Sequence, residues 1–329
     1  GIKINSEINK KQNDFEKQFE FLKICNDFFK ECLIKNDQAK NYLYSRSIKD
    51  EIIKKFEIGF CPADSNKLIN YIENKGFENS DIYTQGLFIK SKNSDKPFGR
   101  FSNRIIFPIF NFSNKIIGFG GRTVLDSKIK YINSAENELF KKGQNLYGLK
   151  QNIENIKLRK ELILVEGYFD VISLNANNID TTVASLGTTL SEIQIKKIWN
   201  IVDIPIMCFD GDFAGLKAMK NIAVKLIKYL RPGKSIKFII LPNQLDPDSY
   251  LSQFGKESFM SLKKESKDLS ELIWEIITEN KNFKTPEFIA LIDQKINEIS
   301  NSIENKLVSS EYFKFLKAKK NDFVWSSRK

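Results

Sequence analysis

Between Glu161 and Tyr250, four short apolar runs alternate with segments of helical pattern: Leu162–Val165, Thr182–Ala184, Ile204–Phe209 and Ile236–Leu241. Runs of this length separated by helices predict βαβ units and a parallel sheet buried on both faces. Three of the runs lead into acid. Glu166-Gly167 follows the first, Asp210-Gly211-Asp212 the third, and Asp246-Pro247-Asp248 lies just beyond the fourth. In an open α/β sheet, ligands bind beyond the carboxyl ends of the strands. The pattern therefore predicts five carboxylates on one edge of one sheet.

Like charges gathered together repel unless something neutralises them. Carboxylate-only donor sets suit hard cations, and Mg²⁺ is usually held by one or two carboxylates together with waters and phosphates. Two such ions about 4 Å apart clamp the attacking and leaving oxygens of a phosphoryl transfer. Glu166, Asp210, Asp212, Asp246 and Asp248 are the predicted metal ligands, with Glu166, Asp210 and Asp212 catalytic. The predicted cofactor is Mg²⁺, or Mn²⁺ in its place. The plain alternative is that the acids are helix N-caps facing water. That would account for a lone Asp-Gly-Asp better than for three acidic groups at successive strand ends. Gly167 and Gly211 permit a sharp turn from strand to helix. In Ser185-Leu186-Gly187-Thr188-Thr189, amides around Gly187 are placed to approach a phosphate. A turn followed by a capping box from Thr189 to Glu192 is compatible with that role.

Composition narrows the chemistry. The 329 residues include no histidine, which removes a Ser-His-Asp triad and any Cys₂His₂ or Cys₃His zinc site. Cys25, Cys32, Cys61 and Cys208 form no C-x-x-C pair and sit in apolar contexts, as free thiols of a reducing compartment do. The net charge of +11 is uneven: residues 91–150 hold 11 Lys/Arg against 4 Asp/Glu, and residues 151–260 hold 13 against 12. A local basic excess is the electrostatic footprint of nucleic acid or nucleotide phosphate. No run approaches 18 apolar residues, so no membrane partner is expected. A first residue of Gly rather than Met suggests a fragment or processed chain.

The motifs Glu166-Gly-Tyr-Phe-Asp170, Ala184-Ser-Leu-Gly-Thr188, Phe209-Asp-Gly-Asp-Phe-Ala-Gly215 and Leu245-Asp-Pro-Asp-Ser249, in this order, resemble the Toprim domain of bacterial DnaG-type primases. Upstream, RFSNRIIFPI (from Arg100), IIGFGGRT (from Ile116), KYINS (from Lys130) and FKKGQNLYGL (from Phe140) resemble the basic N-terminal subdomain of the same family. The resemblance is clearest from Asn41 to Tyr250. It implies an α/β fold in three parts: a basic α+β subdomain (1–158), a Toprim domain with a parallel sheet (159–252) and a C-terminal helical bundle (253–329). It further implies template-directed synthesis of short RNA primers on single-stranded DNA from NTPs, by a monomer in the bacterial cytoplasm. Arg46, Arg100, Arg104, Arg122, Lys130 and Lys142 are then expected to line a groove and hold template and nucleotide phosphates. Asn133, Gly167, Asp170, Gly187 and Thr188 are expected to assist them. Glu166 is implied as metal ligand, general base or both. Zinc-ribbon and helicase-binding sequences are expected outside this stretch, so neither zinc nor a replicative helicase is an expected partner here. Two departures stand out: Arg46-Ser47 where the family usually has Arg-Gly, and Ser102 where a basic residue is common.

Toprim acids also occur in nucleases and topoisomerases, and no tyrosine here has a recognisable nucleophile context. A non-enzymatic single-strand-binding module would need stacking aromatics among the basic residues. Phe98, Phe101, Phe119 and Tyr131 qualify by position, though their strand context predicts core packing. Elsewhere the spacing predicts a polar, frayed segment 1–14, a helix of roughly 18 residues from Phe15, short helices over Asn41–Phe60, Lys67–Lys75 and Ser80–Gln85, and strands from Gly99. A hairpin turning at Asn111–Asn114, a charged connector over 151–160 and a helix Phe213–Leu230 come next. The chain then reads as helical, with Thr285 capping a helix that has Pro286 at its first position.

Overall fold

The structure is a computed structural model. It describes residues 2–326 apart from 79–80, 82–85, 92–93, 126, 187–189 and 280–284, with backbone only for 2–11, 90–91, 94–98 and 326. The expected Ser80–Gln85 helix, except Asp81, lies outside the described residues, as do Gly187, Thr188 and Thr189. The chain divides into two compact units: Gly1–Ile153 with Val171–Ile179, and Glu154–Asp170 with Asp180–Lys329. Among the described residues, no helix is long and apolar enough to cross a membrane.

In the first unit, one helix runs over Ile2–Ile34, longer than the apolar spacing alone predicts and including the polar segment expected to fray. Its apolar face, Phe21, Leu22, Cys25 and Phe29, is almost fully buried. It packs on an antiparallel sheet ordered β1-β4-β5-β6, formed by β1 (Gly59–Cys61), β4 (Arg104–Phe110), β5 (Ile116–Thr123) and β6 (Tyr131–Asn133). Phe29 meets Phe119 edge to face at 5.4 Å, and each Phe so buried contributes roughly 1.5–3 kcal/mol. The β4–β5 hairpin and its Asn111–Asn114 turn form as expected, pairing Ile105 with Arg122 and Ile106 with Gly121. A Cβ at Gly121 would lie 2.6 Å from the Phe101 ring, so a close approach fixes glycine there. Strands begin earlier than Gly99. β1 takes Phe60, which was expected to be helical, and β2 (Phe88–Ser91) pairs with β3 (Ser94–Gly99). Ser47 adopts φ +60°, the left-handed conformation that glycine enters most readily.

The second unit holds a five-stranded sheet ordered β11-β10-β9-β7-β8. β7 (Ile163–Val165), β8 (Thr182–Ala184), β9 (Ile206–Phe209) and β10 (Lys237–Ile240) are parallel. Ile163, Leu164, Val165, Met207, Cys208, Phe238 and Ile239 are buried, as a parallel sheet covered on both faces requires. One edge was not anticipated: β11 (Lys267–Asp268) adds antiparallel to β10. Residues 151–160, expected as a connector, lie within or just after the helix Leu149–Arg159. The helix after Asp212 spans Phe213–Leu226, tightening into a 3₁₀ turn at Ile227–Tyr229, and buries Met219, Ile222, Ala223 and Leu226. The helix after β8 is capped by Ser191 with Gln194, not by Thr189 with Glu192. Helix Pro247–Lys264 is broken at Gly255, where φ is +77°. Helices Leu269–Thr278, Pro286–Ser302 and Lys306–Ser326 pack on one another, and the first also packs on Phe213–Leu226. Thr285 is the N-cap residue as expected, but its side chain makes no capping hydrogen bond to the helix backbone.

Candidate active site

β10, β9 and β7 are neighbours running in one direction, so the segments after them emerge at the same sheet edge. Glu166-Gly167 follows β7 directly, Asp210-Gly211-Asp212 follows β9 directly, and Asp246 lies six residues beyond β10. The turn after β9 is held from both sides. The Gly211 amide donates to the Leu245 carbonyl at 2.9 Å, and a Cβ at Gly211 would stand 2.2 Å from the Leu241 carbonyl oxygen. Only glycine fits that approach.

Two of the acids do cap helices. Asp212 accepts the Gly215 amide at 2.7 Å, and Asp246 accepts the Ser249 amide at 2.6 Å. Each cap satisfies an orphan donor of the first turn and orients the carboxylate at the helix's positive end. Capping and clustering are therefore one arrangement here, not alternatives. Asp248 lies in the first turn of the helix that Asp246 caps. Asp170, in the first turn of helix Tyr168–Ala176, is buried and accepts the Gly167 amide at 2.9 Å, which fixes the turn behind Glu166.

The electrostatics show that these groups feel one another. Burial, followed by the charges of Glu166, Asp246 and Asp212, raises the Asp210 carboxyl to about 7. Burial also raises Glu166, with Asp212 adding to it and the Asp210 amide opposing. Asp170 is held well above the usual carboxylate range by burial and by Asp210, Asp246 and Asp248, against the pull of the Gly167 amide. Glu166 Oε1 is buried without a hydrogen-bond partner. Among the described residues, no three Asp, Glu or Cys side chains are placed as they stand to hold a metal ion. The residues nevertheless fit a divalent cation of the Mg²⁺ kind. Such an ion needs only one or two carboxylates beside water and phosphate, and an orphaned carboxylate oxygen next to a carboxyl of raised proton affinity marks a place short of positive charge.

The basic residues belong to the first unit, and several of their donors are already engaged. Arg46 lies in the turn after helix Asp37–Tyr44, its guanidinium 5.6 Å from the Tyr42 ring centroid. Arg122, on β5, is 5.7 Å from the same ring and 4.9 Å from that of Tyr131, whose hydroxyl accepts from it. Arg100 donates through Nε to the Asn133 carbonyl at 2.9 Å. Arg104 spends Nη1 on the Lys130 carbonyl and Nη2 on that of Ile129, both at 3.1 Å, and burial lowers its proton affinity. Lys130 itself is exposed. Lys142 begins a 3₁₀ turn, its amide donating to Glu136. Of the aromatics considered for stacking, Phe101 and Phe119 are core, and the Phe98 side chain is outside the described residues. Tyr131 is 42% exposed, contrary to the core packing its strand context suggested. Tyr42 was not anticipated at all; its contacts with Arg46 and Arg122 leave no mark in local sequence.

A family model described as the N-terminal domain of the DNA primase catalytic core matches residues 28–153, and one described as Toprim-like matches residues 163–251. The DNA primase of Rickettsia bellii is 37% identical over 99% of this chain and 54% of its own length; the chain spans about half the length of the curated relatives it matches. A DNA primase domain from Pseudomonas aeruginosa is 32% identical with a TM-score of 0.82, covering 91% of this chain and 94% of that one. A DnaG primase catalytic domain bound to single-stranded DNA is 27% identical with a TM-score of 0.85, covering 93% and 99%. Two family models in tandem along the chain, with a primase relative above 30% identity across nine-tenths of it, establish that the chain belongs to the DnaG-type DNA primase catalytic-core family.

Proposed function

We propose that this chain carries the nucleotidyl-transfer centre of a primase and joins ribonucleotides into short RNA primers on a single-stranded DNA template. The ribose 3′-hydroxyl attacks the α-phosphorus of an NTP; the new O–P bond replaces the bond to pyrophosphate, which leaves. Residues 1–158 handle template and nucleotide, 159–252 carry the chemistry, and 253–329 support the sheet. The observation that carries this reading is Asp210. It stands at the carboxyl end of the sheet's central strand and is raised to about 7 by burial and by three neighbouring acids.

Asp210, Glu166 and Asp212 would hold Mg²⁺, or Mn²⁺ in its place, with Asp246 and Asp248 completing the acidic pocket. The cation would supply neutralising charge and orient the phosphate oxygens. Glu166, with one buried oxygen lacking a partner and burial raising its proton affinity, serves as ligand, as acceptor of the hydroxyl proton, or both. Arg46, Arg100, Arg122, Lys130 and Lys142 set the register of phosphates, and Gly167, Asp170, Asn133, Gly187 and Thr188 assist. The relative bound to single-stranded DNA supports the choice of template. Incubating the chain with a single-stranded template, labelled NTPs and Mg²⁺ or Mn²⁺ should yield short RNA. Asp210→Ala should reduce the yield by about 10³-fold or more, several kcal/mol of lost charge stabilisation, while retaining the circular-dichroism spectrum. Unchanged synthesis by the variant would remove the acids from the chemistry.

A further inference from the structure

Helix Phe213–Leu226 leaves the acidic edge directly behind Asp212, and its first residue does no packing. Phe213 is 82% exposed, more than any other large apolar side chain described. Single apolar residues on a surface are ordinary, so position decides what this one means. The backbone around it is fixed. Asp212 accepts the Gly215 amide through its side chain and the Leu216 amide through its carbonyl. A Cβ at Gly215 would stand 2.2 Å from the Asp210 carbonyl oxygen, so the first turn is pressed against the Asp210 backbone. The ring is therefore carried on a rigid mount one residue from Asp212.

The helix buries Met219, Ile222, Ala223 and Leu226 against its own unit. Its opposite stripe, Phe213, Lys217, Asn221 and Val224, is exposed. Spacings of four, four and three put these side chains on one face. Lys220 is paired with Glu279, and Lys225 donates to the Leu190 carbonyl. Exposed Lys217, one turn after the ring, has no such partner among the described residues. From Phe213 to Asn221 the face runs about 12 Å away from the acids, roughly the length of three to four stacked nucleotides of one strand.

The attacking 3′-hydroxyl belongs at the acids, so a growing strand ends there and extends outward. The bases of that strand are taken up by pairing with the template, which leaves sugar and phosphate for a protein surface to meet. A ring followed at one turn by an unpaired cation offers an apolar surface to a ribose and a positive charge to a phosphate. We propose that the exposed face of helix Phe213–Leu226 seats the nascent RNA strand, with Phe213 against the terminal ribose and Lys217 on the phosphate behind it. The proposal rests on the primase reading above and names the surface that the product occupies.

The test is fluorescence anisotropy, in Mg²⁺ without NTPs, of two labelled ligands: a DNA single strand, and the same strand annealed to a short RNA primer that leaves a template overhang. Each is titrated with the parent, Phe213→Ala, Phe213→Tyr and Lys217→Ala over a series of salt concentrations, with thermal melts confirming that the variants fold. Phe213→Ala should bind the primed strand about tenfold more weakly, the loss of one apolar contact. Phe213→Tyr should stay within about threefold of the parent, since it keeps the ring. Lys217→Ala should weaken the primed strand and lower its salt slope by about 1. The unprimed strand should bind all four proteins alike. When NTPs are added, the Phe213→Ala loss should appear in KM for the primed template and not in kcat. Equal losses on both ligands would place these side chains on the template and overturn the assignment to the primer. A parent that extends the primer, with Phe213→Ala and Lys217→Ala binding the primed strand as tightly, would overturn this proposal alone. A parent that extends no primer would overturn the primase reading, and this proposal with it.

Discussion

The acidic edge of the second unit and the basic face of the first are built on opposite principles. At the acidic edge, strand ends and helix caps force carboxylates together with their mutual repulsion unrelieved, and the strain appears as raised proton affinity at Asp210, Glu166 and Asp170. On the basic face, the guanidinium groups already have partners. Arg100 and Arg104 hold carbonyls, and Arg46 and Arg122 lie against rings. One region gathers charge of a single sign; the other has its charges already arranged. The acids define a chemistry, whereas the bases define a shape.

The largest structural effect should come from the turn that carries the acids. Gly211→Ala drives a methyl into the Leu241 carbonyl and should cost about 2–3 kcal/mol as an overpacking strain, read as a lowered denaturant midpoint and accompanied by loss of synthesis. A destabilisation below about 0.5 kcal/mol would mean that the turn relaxes freely.

A smaller effect comes from proton affinity. An unfolded Asp titrates near 3.9, whereas Asp210 in the fold is raised to about 7. The folded state therefore holds this proton more tightly than the unfolded one. The resulting stability is fully present below about pH 4 and is lost as pH rises through about 7. Asp210→Asn has no proton to lose. In chelator, the variant should match the parent near pH 4 and gain on it to about 1–2 kcal/mol by pH 8, a figure discounted for the solvent that still reaches this half-buried group. Chemical denaturation at both pH values checks this, and a gap independent of pH would contradict it.

The smallest effect belongs to the basic face. Lys130→Ala should weaken single-strand binding and lower the salt slope by about 0.7–1, one phosphate contact, with stability unchanged. An unaltered slope would remove Lys130 from the strand path.

How far the sequence reveals this molecule depends on the range of each interaction. Short apolar runs and the acids behind them are local, so β7 to β10 and the acidic edge were legible. At Ser47, where the resemblance led to an expectation of glycine, a non-glycine takes φ +60°, a conformation that local sequence did not announce. β1 and β11 were not legible, because they form only against distant partners, β1 against Arg104–Ile106 and β11 against Lys237–Phe238. The kink at Gly255 lies inside a continuous helical pattern. The engagement of Arg104 with the Ile129 and Lys130 carbonyls depends on a loop 25 residues away and more. Tyr131 reads as a buried strand aromatic until β6 proves to be an edge. The helix Ile2–Ile34 exceeds its apolar stripe because polar residues sustain a helix without revealing its start.

The central claim is that the acidic edge is short of one divalent charge. Calorimetric titration of Mg²⁺ and Mn²⁺ into the parent and Asp210→Asn, with thermal melts of both with and without the ions, tests it most directly. The parent should bind the ions and melt at a higher temperature in their presence, with both effects lost or at least tenfold weaker in the variant, whose chelator melt shows it folded. Equal binding and equal stabilisation in the two proteins would contradict the claim.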